Sequence, residues 1–385
     1  MKSRTPVFWT ANFAWLFVVQ ILAFFVAQML LTTLPLLVDR LAGDNRSVGI
    51  CSGAMVFAML FSRPFGGLLL DRFGRRKILL CAQIGLGISL MAYFAATSIA
   101  ALVAVRILHG LFWAIAATSV STIVAGLLPA NRLGEGMGIF TLSIGIAMGA
   151  APAVGFAIVE HYSFNALFLT CIVLNFLGFF LTSRLRLPFV RDTTTATDRP
   201  ASTLFLRSAL PPCLLIFMVA SASSSITSFL PLYARQLGSP SAVPFFTISA
   251  LVLLISRPIA GRLVDRYSAL FISIPALFLL LLAFFALAHA PFPGWLSVAA
   301  VLHGLSFGAL LGSLQVMALV GVKSCHFGAA TATFFLGFDV GNGLGPLFSG
   351  AIADFFGYRT MYLHMAIPLF FSIFLAIYLI RARHR

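Results

Sequence analysis

The stretch Ser62–Arg72, SRPFGGLLLDR, occurs a second time in altered form as SRPIAGRLVDR at Ser256–Arg266. Seven of the eleven positions are identical at an offset of 194 residues. The same offset relates further pairs, which are LHGL at 108–111 and 302–305, Gly149 and Gly343, and Pro152 and Pro346. Matching segments at one offset indicate an internal repeat, in which the second half of the chain copies the first.

The composition indicates a protein embedded in lipid. The 385 residues are 61% hydrophobic and only 9% charged, whereas soluble domains carry about 25% charged residues. A helix that spans a bilayer needs roughly 20 apolar residues. Twelve apolar runs of suitable length are predicted as spans, at residues 12–37, 48–70, 78–97, 99–127, 134–159, 165–187, 209–233, 244–264, 269–289, 295–321, 327–352 and 361–381.

The repeat divides these spans into six plus six. Spans 2, 4 and 5 correspond to spans 8, 10 and 11, and the one long polar stretch lies between spans 6 and 7. We therefore expect an all-α membrane protein with twelve transmembrane helices in two pseudo-symmetric six-helix bundles. The predicted domains are residues 1–187 and 208–385, joined by a cytoplasmic linker at residues 188–207. Two parallel six-helix halves around a midplane site are typical of alternating-access transporters.

The net charge of +15 raises the question of a nucleic-acid partner. Basic residues collect in the cytoplasmic loops of membrane proteins. With both termini in the cytoplasm, eighteen Lys and Arg residues fall on that side, and four fall on the other, namely Arg40, Arg46, Arg235 and Arg359. This topology accounts for the charge, so we expect an inner (cytoplasmic) membrane protein with lipid as its surroundings and no nucleic-acid partner.

No pattern of chemistry-bearing residues indicates an enzyme. The five cysteines lie in apolar stretches without metal-ligand spacing, and no Walker sequence is present. The sequence predicts no catalytic residue, no metal and no cofactor, and we expect a monomer.

The segment Gly67–Lys77, GLLLDRFGRRK, resembles the loop motif between helices 2 and 3 of the major facilitator superfamily. Topology, repeat and linker extend the resemblance over the whole chain, which looks most like the twelve-helix proton-coupled efflux permeases. In that family the loop latches the two halves in one state, with the acid facing the start of helix 11. The resemblance assigns this role to Gly67, Asp71, Arg72, Gly74, Arg75 and Arg76.

A simpler interpretation of this segment is a basic turn with Gly74 in a left-handed bend. That interpretation accounts for the arginines but not for Asp71. The second copy retains Gly261, Asp265 and Arg266, and then departs from the motif, because Tyr267-Ser268-Ala269 replaces the Gly-Arg-Arg run. We expect its latch to be weaker.

Two charged residues inside spans are candidates for proton coupling, since such residues are costly in a bilayer and usually functional. Arg106, followed by Gly110, resembles the helix 4 motif that the family links to proton coupling. Asp339 is the only acid in the middle of a span. The alternatives are an arginine that binds backbone carbonyls and an acid satisfied by a neighbouring Ser or His.

Span 5 carries Gly145, Gly149, Pro152 and Gly155, which resemble a helix 5 motif found mainly in exporters. The match is partial, because two alanines separate Gly149 from Pro152. Small residues at this spacing also allow helices to pack closely.

Polar and aromatic residues in five spans are candidates for lining a substrate cavity. They are Gln20, Phe24, Gln28 and Thr32 in span 1, His109 and Trp113 in span 4, Ser221, Ser224, Ser225 and Ser228 in span 7, His303 in span 10, and Asn342 in span 11. Hydrogen bonding between helices is the alternative for the polar stripes, and a repeated packing residue is the alternative for the two histidines. Arg63 and Arg257 are expected to extend toward the membrane interface.

Together these features predict a secondary-active, proton-coupled exporter of a small organic molecule such as a drug, a sugar or a metallophore. One alternative is a proton-coupled uptake permease for a sugar or an organic acid. Another is a membrane sensor or scaffold with a transporter-like fold.

Overall fold

The computed structural model describes residues 9–41, 45–185, 204–238, 242–289 and 293–383. Within these ranges the chain forms long helices and no strand. The helices are α1 (Ala11–Arg40), α2 (Asn45–Phe73), α3 (Arg75–Ala92), α4 (Ile99–Leu127), α5 (Leu133–His161), α6 (Phe164–Ser183), α7 (Leu210–Gln236), α8 (Val243–Arg266), α9 (Ala269–Ala288), α10 (Pro293–Leu319) and α11 (Phe327–Arg383).

The last of these, α11, is interrupted at Gly357, where φ is 78° and ψ is 166°. This backbone conformation is open to glycine and strained for residues with a Cβ atom. The parts at residues 327–356 and 358–383 therefore count as two helices, and the described chain has twelve. The prediction of an all-α fold with twelve helices is confirmed, and the predicted spans match the helices to within a few residues.

Several helices begin at a hydroxyl residue that caps a free backbone N–H group. The hydroxyl oxygens of Ser98, Ser163 and Ser268 accept from the backbone N–H groups of Ala101, Ala166 and Phe271, which lie three residues later, at 3.2, 3.1 and 3.2 Å. These caps fix the starts of α4, α6 and α9.

The helices suit a bilayer in length and in surface. In the described part of the chain, eleven helices are long and apolar enough to cross a membrane, and the last of them has room for two spans. Large apolar side chains also point outward; Phe355, for example, is 82% exposed. The chain is a multi-pass membrane protein.

The chain forms two compact units that do not follow the sequence halves strictly. Unit 1 comprises Met1–Pro129, Ser143–Leu206 and Gly321–Thr333, and unit 2 comprises Ala130–Leu142, Arg207–Val320 and Phe334–Arg385. The start of α5 thus belongs to unit 2, and the start of α11 belongs to unit 1. The predicted domain boundaries remain a prediction, because residues 188–203 of the linker lie outside the described residues.

Both units use the same packing of equivalent helices. In unit 1, α4 packs on α2 and α3, and in unit 2, α10 packs on α8 and α9. A Cβ atom added at Gly110 would lie 2.5 Å from the carbonyl oxygen of Met55, and one added at Gly304 would lie 2.5 Å from that of Ser249. These four residues are related by the offset of 194, so the sequence repeat is also a structural repeat.

In unit 2, α11 lies directly against α7 along a line of glycines. A Cβ atom at Gly341 would lie 2.6 Å from the Phe217 carbonyl oxygen, and one at Gly345 would lie 2.9 Å from Cα of Ser221. Glycine at these positions lets the two backbones approach as closely as membrane helices do at small-residue interfaces.

Candidate functional site

The carboxylate of Asp71, near the end of α2, binds the first turn of α11. Its Oδ1 accepts from the backbone N–H of Gly328 at 2.8 Å, and its Oδ2 accepts from that of Ala329 at 2.9 Å. The first N–H groups of a helix have no partner within the helix and carry partial positive charge. An anion here satisfies two of them at once, so Asp71 lies where the family resemblance put it, at the start of helix 11.

Glycines on both sides make this contact sterically feasible. A Cβ atom at Gly67 would lie 2.7 Å from the Gly328 carbonyl oxygen, and one at Gly328 would lie 2.6 Å from Asp71 Oδ1. Both distances are much shorter than a normal van der Waals contact. Any side chain at either position would therefore push α2 away from the start of α11.

The basic residues after Asp71 make three different contacts. Arg75 donates to the Ser324 carbonyl oxygen, and its guanidinium lies 5.6 Å from the centre of the Phe327 ring. Arg76 donates to the Ser183 carbonyl oxygen at the end of α6. Arg72 stays beside its neighbour Phe73, at 5.3 Å from the ring centre. Gly74, with φ of 95°, makes the left-handed bend that the sequence predicts.

Asp265, the repeat equivalent of Asp71, makes the same arrangement at the start of α5. Its Oδ1 accepts from the backbone N–H of Gly134 at 2.6 Å, and its Oδ2 accepts from that of Glu135 at 2.8 Å. Gly261 again lies against the opposite backbone, since an added Cβ atom would lie 3.0 Å from Cα of Glu135. Arg266 lies beside Tyr267, with 5.4 Å to the ring centre.

The second site also contains an ion-pair cluster around Glu135, which sequence reasoning missed. Glu135 pairs with Arg262 at 2.8 Å and with Arg132 at 2.5 Å. The repeat places Ala329 at the corresponding position of the first site, so these pairs have no counterpart there. Arg262 is largely exposed, so we assign its pair a modest energy. That the second latch is the weaker one stays a prediction.

Arg63 and Arg257 do not extend toward an interface, and that prediction is wrong. The two residues are 3% and 2% exposed. Arg63 Nη1 donates to the Thr118 hydroxyl at 2.9 Å, and Arg257 donates to the Thr141 carbonyl oxygen. Buried polar partners within reach outweigh the gain from extending the side chain to water.

The two candidates for proton coupling lie in different units. Arg106 is buried, its Nε donates to the Cys51 carbonyl oxygen at 3.3 Å, and its charge lies near the Tyr93 hydroxyl. This geometry matches the alternative of an arginine that binds backbone carbonyls. Asp339 is 7% exposed and contacts a neighbouring group. Asn342, one turn later, donates to the Phe338 carbonyl oxygen of its own helix at 3.0 Å.

Part of the predicted substrate-cavity set is brought together in unit 1. Gln20, His109 and Trp113 line one cavity, and Phe24 packs edge-on against Trp113 with 5.0 Å between ring centres. Gln28 and Thr32 are not among its lining residues, and the Thr32 hydroxyl donates to the Gln28 carbonyl oxygen at 2.8 Å.

Two further polar residues, Gln83 and Asn175, line the same cavity, and sequence reasoning missed them. Asn175 Nδ2 donates to the Gln83 carbonyl oxygen at 3.1 Å. Each is an isolated amide in an apolar span, and that isolation is the signal that could have identified them.

Two of the four predicted serines of α7 donate their hydroxyls to carbonyl oxygens of their own helix. The Ser224 and Ser225 hydroxyls donate to the Ser221 and Ala222 carbonyl oxygens at 2.9 and 2.6 Å, and Ser228 is exposed. Ser221 and Ser224 also lie against Gly345 of α11. This geometry matches the alternative of helix packing.

The remaining predicted residues are dispersed. His303 lies in unit 2, and its Nδ1 is 2.8 Å from the Ser249 hydroxyl. Of the helix 5 motif, Gly155 packs on α1, where an added Cβ atom would lie 3.2 Å from Cα of Met29. Gly149 has no neighbour within 4 Å of such an atom among the described residues. Gly145 and Pro152 are half-buried.

Twelve long helices in the described part of the chain, an internal repeat and two equivalent aspartate contacts are typical of a membrane transporter of the twelve-helix type. The family model described as Major Facilitator Superfamily matches residues 16–324 and 213–385. The chain belongs to the major facilitator superfamily.

Known proteins resemble the chain over nearly its whole length. Multidrug resistance protein MdtG of Escherichia coli O17:K52:H18 is 28% identical, and the alignment covers 94% of this chain and 92% of MdtG. Among solved structures, the human organic anion transporter MFSD10 has a TM-score of 0.81 at 16% identity and covers 97% of this chain and 100% of MFSD10. The proton:xylose symporter XylE has a TM-score of 0.73 at 15% identity and covers 94% of each chain. At these identities the two structures show the fold alone.

Proposed function

We propose that this protein is a secondary-active exporter of small organic molecules in the inner (cytoplasmic) membrane, and that protons drive it by antiport. The observation that carries the proposal is the pair of equivalent contacts made by Asp71 and Asp265. Each joins a helix from one sequence half to the first turn of a helix from the other half.

Such contacts suit a transport cycle because each depends on a few hydrogen bonds. A charged acceptor at a helix N-terminus contributes on the order of 1.5–3 kcal/mol per hydrogen bond. Two such bonds hold one state firmly, yet a conformational change can break them. In the predicted topology both contacts lie on the cytoplasmic side, so forming and breaking them together would close and open that side during an alternating-access cycle.

The direction of export rests on the resemblance to MdtG, whose name states multidrug resistance, and on the partial helix 5 motif. The scarcity of charged side chains within the spans favours a neutral, zwitterionic or weakly charged substrate. Proton drive rests on Asp339, an acid buried in a membrane-spanning helix.

The test is transport in vesicles. Everted membrane vesicles that contain the protein would be energised with a respiratory substrate and offered a panel of fluorescent drugs, sugars and chelators. We expect uptake of at least one compound into everted vesicles, and we expect it to collapse when a protonophore removes the pH gradient. Export from everted vesicles would assign uptake in the cell instead. Absence of any transport across the panel would favour a sensor or scaffold.

A further inference from the structure

A small cavity lies inside unit 1, where α1, α3, α4 and α6 meet. Its volume is about 20 Å³, which suits one water molecule and excludes an organic substrate. Most of its lining is apolar. The exceptions are one polar side chain from each of the four helices, namely Gln20, Gln83, His109 and Asn175.

Four polar atoms around this cavity are buried without a hydrogen-bond partner among the described residues. They are Nδ1 and Nε2 of His109, Oε1 of Gln20 and Oε1 of Gln83. Gln20 and His109 are each 1% exposed, and Gln83 is 5% exposed. Buried polar groups without partners are costly and therefore rare, and in folded proteins they are commonly satisfied by an ordered water.

The internal repeat shows that, within the described part of the chain, His109 lacks the hydroxyl partner that the equivalent histidine of unit 2 has. The equivalent His303 has a direct partner, since its Nδ1 lies 2.8 Å from the Ser249 hydroxyl. The residue equivalent to Ser249 is Met55, whose thioether is a poor hydrogen-bonding group. The close approaches of Gly110 to Met55 and of Gly304 to Ser249 show that these positions correspond in structure.

At the position equivalent to Gln83, unit 2 has an apolar residue instead of an amide. At an offset of 194 it is Leu277, which is fully buried. Unit 2 therefore combines a histidine with a serine partner and an apolar neighbour. Unit 1 combines a histidine that lacks such a partner with a cavity and additional amides.

We propose that this cavity binds one ordered water molecule, which bridges the His109 imidazole to the amide oxygens of Gln20 and Gln83. One water can supply partners for three of the four atoms. The imidazole N–H donates to the water oxygen, and the two O–H groups of the water donate to Oε1 of Gln20 and Oε1 of Gln83. Among the described residues, no carboxylate lines the cavity, and Arg106 already places a positive charge one turn before His109, so a neutral imidazole fits.

This assignment separates Gln20 and His109 from the surface that contacts the transported molecule. In this site they connect α1, α3 and α4 through the water. Asn175 extends the connection to α6 through its hydrogen bond to the Gln83 carbonyl oxygen. The inference does not depend on the direction of transport or on the coupling ion.

A substitution that fills the cavity tests the proposal, because a bound water predicts a fall in the thermal unfolding midpoint and an empty cavity predicts a rise. Ala117 lines the cavity, and Ala117→Val places two methyl groups in it. If a water is bound, these methyl groups displace it and leave three polar side chains unpaired, so the thermal unfolding midpoint should fall. The same change in a Gln83→Leu/His109→Leu background should then lower the midpoint less or raise it. An equal fall in both backgrounds, or a rise in the wild-type background, would overturn the proposal.

A second measurement needs no variant of the cavity to fold. Solid-state NMR of the membrane-embedded protein with ¹⁵N-labelled histidine would record magnetisation transfer from water to imidazole nitrogens. His109→Asn serves only to identify the signal among the seven histidines. We expect transfer from an immobilised water to a neutral His109 ring. Absence of that transfer would overturn the proposal, whatever the stability data show.

Discussion

Asp71 and Asp265 stand 194 positions apart and bind backbone groups that are themselves 194 positions apart. Asp71 accepts from Gly328 and Ala329 at 2.8 and 2.9 Å, and Asp265 accepts from Gly134 and Glu135 at 2.6 and 2.8 Å. Both halves of the repeat thus contain the aspartate carboxylate and also the helix N-terminus that the other half's aspartate binds. The flanking chemistry differs, because Glu135 forms ion pairs that Ala329 cannot form.

The first prediction concerns the charge of Asp71. Asp71→Asn keeps the size of the side chain and one acceptor oxygen, but it removes the charge and points an amide at a backbone N–H. We expect normal membrane insertion and a loss of transport of about tenfold or more, since roughly 1.5–3 kcal/mol per hydrogen bond to a charged group is at stake. Transport in vesicles at equal protein levels measures it. Full activity of a well-folded Asp71→Asn protein would remove the latch assignment.

The matched change Asp265→Asn tests the relation between the two sites. The motif around Asp265 is degraded after Arg266, so we expect a smaller loss of transport than for Asp71→Asn. Removing the ion pairs with Glu135→Gln in addition should enlarge the loss. If Asp265→Asn alone is as damaging as Asp71→Asn, the ordering of the two latches is wrong.

A steric prediction follows from the close approach at Gly67. Gly67→Ala places a Cβ atom 2.7 Å from the Gly328 carbonyl oxygen, so α2 and the start of α11 must separate. We expect a substantial loss of transport although alanine is the better helix former. Gly53→Ala is the control on the same helix, because nothing lies within 4 Å of its added Cβ atom among the described residues. Equal activities of the two variants would show that the close approach has no role in transport.

The topology can be tested with reporter fusions. The distribution of basic residues predicts that both termini and the linker lie in the cytoplasm. A reporter fused near Thr195 should read cytoplasmic, and one near Asp44 should read periplasmic. Both sites lie outside the described residues, so accessibility in cells is the measurement. The opposite reading at either site would overturn the predicted orientation.

The repeat and the spans were predictable because identical letters at one offset and runs of apolar residues are local signals. The partner of Asp71 was predictable only through the family resemblance. The burial of Arg63 and Arg257 was not predictable, since it depends on where Thr118 and Thr141 come to lie. Polar stripes are ambiguous for a similar reason: a serine pattern alone does not tell whether a hydroxyl faces a cavity or its own backbone.

The last prediction concerns Asp339 and the coupling of transport to protons. Asp339→Asn holds the side chain in a neutral state, so a transporter that depends on protonation of this group should lose its response to a pH gradient. Exchange of substrate down its own gradient should survive, because that process needs no net proton movement. Arg106→Ala should impair both activities, since it removes the buried contact with the Cys51 carbonyl oxygen.

Proteoliposomes with and without an imposed pH gradient separate these cases. We expect Asp339→Asn to equilibrate substrate at a rate comparable with the wild-type protein and to fail to concentrate it when the gradient is applied. If the variant still concentrates substrate, Asp339 is a structural acid and another group carries the proton. His303 is then the next residue to change, because its Nε2 is buried without a hydrogen-bond partner among the described residues.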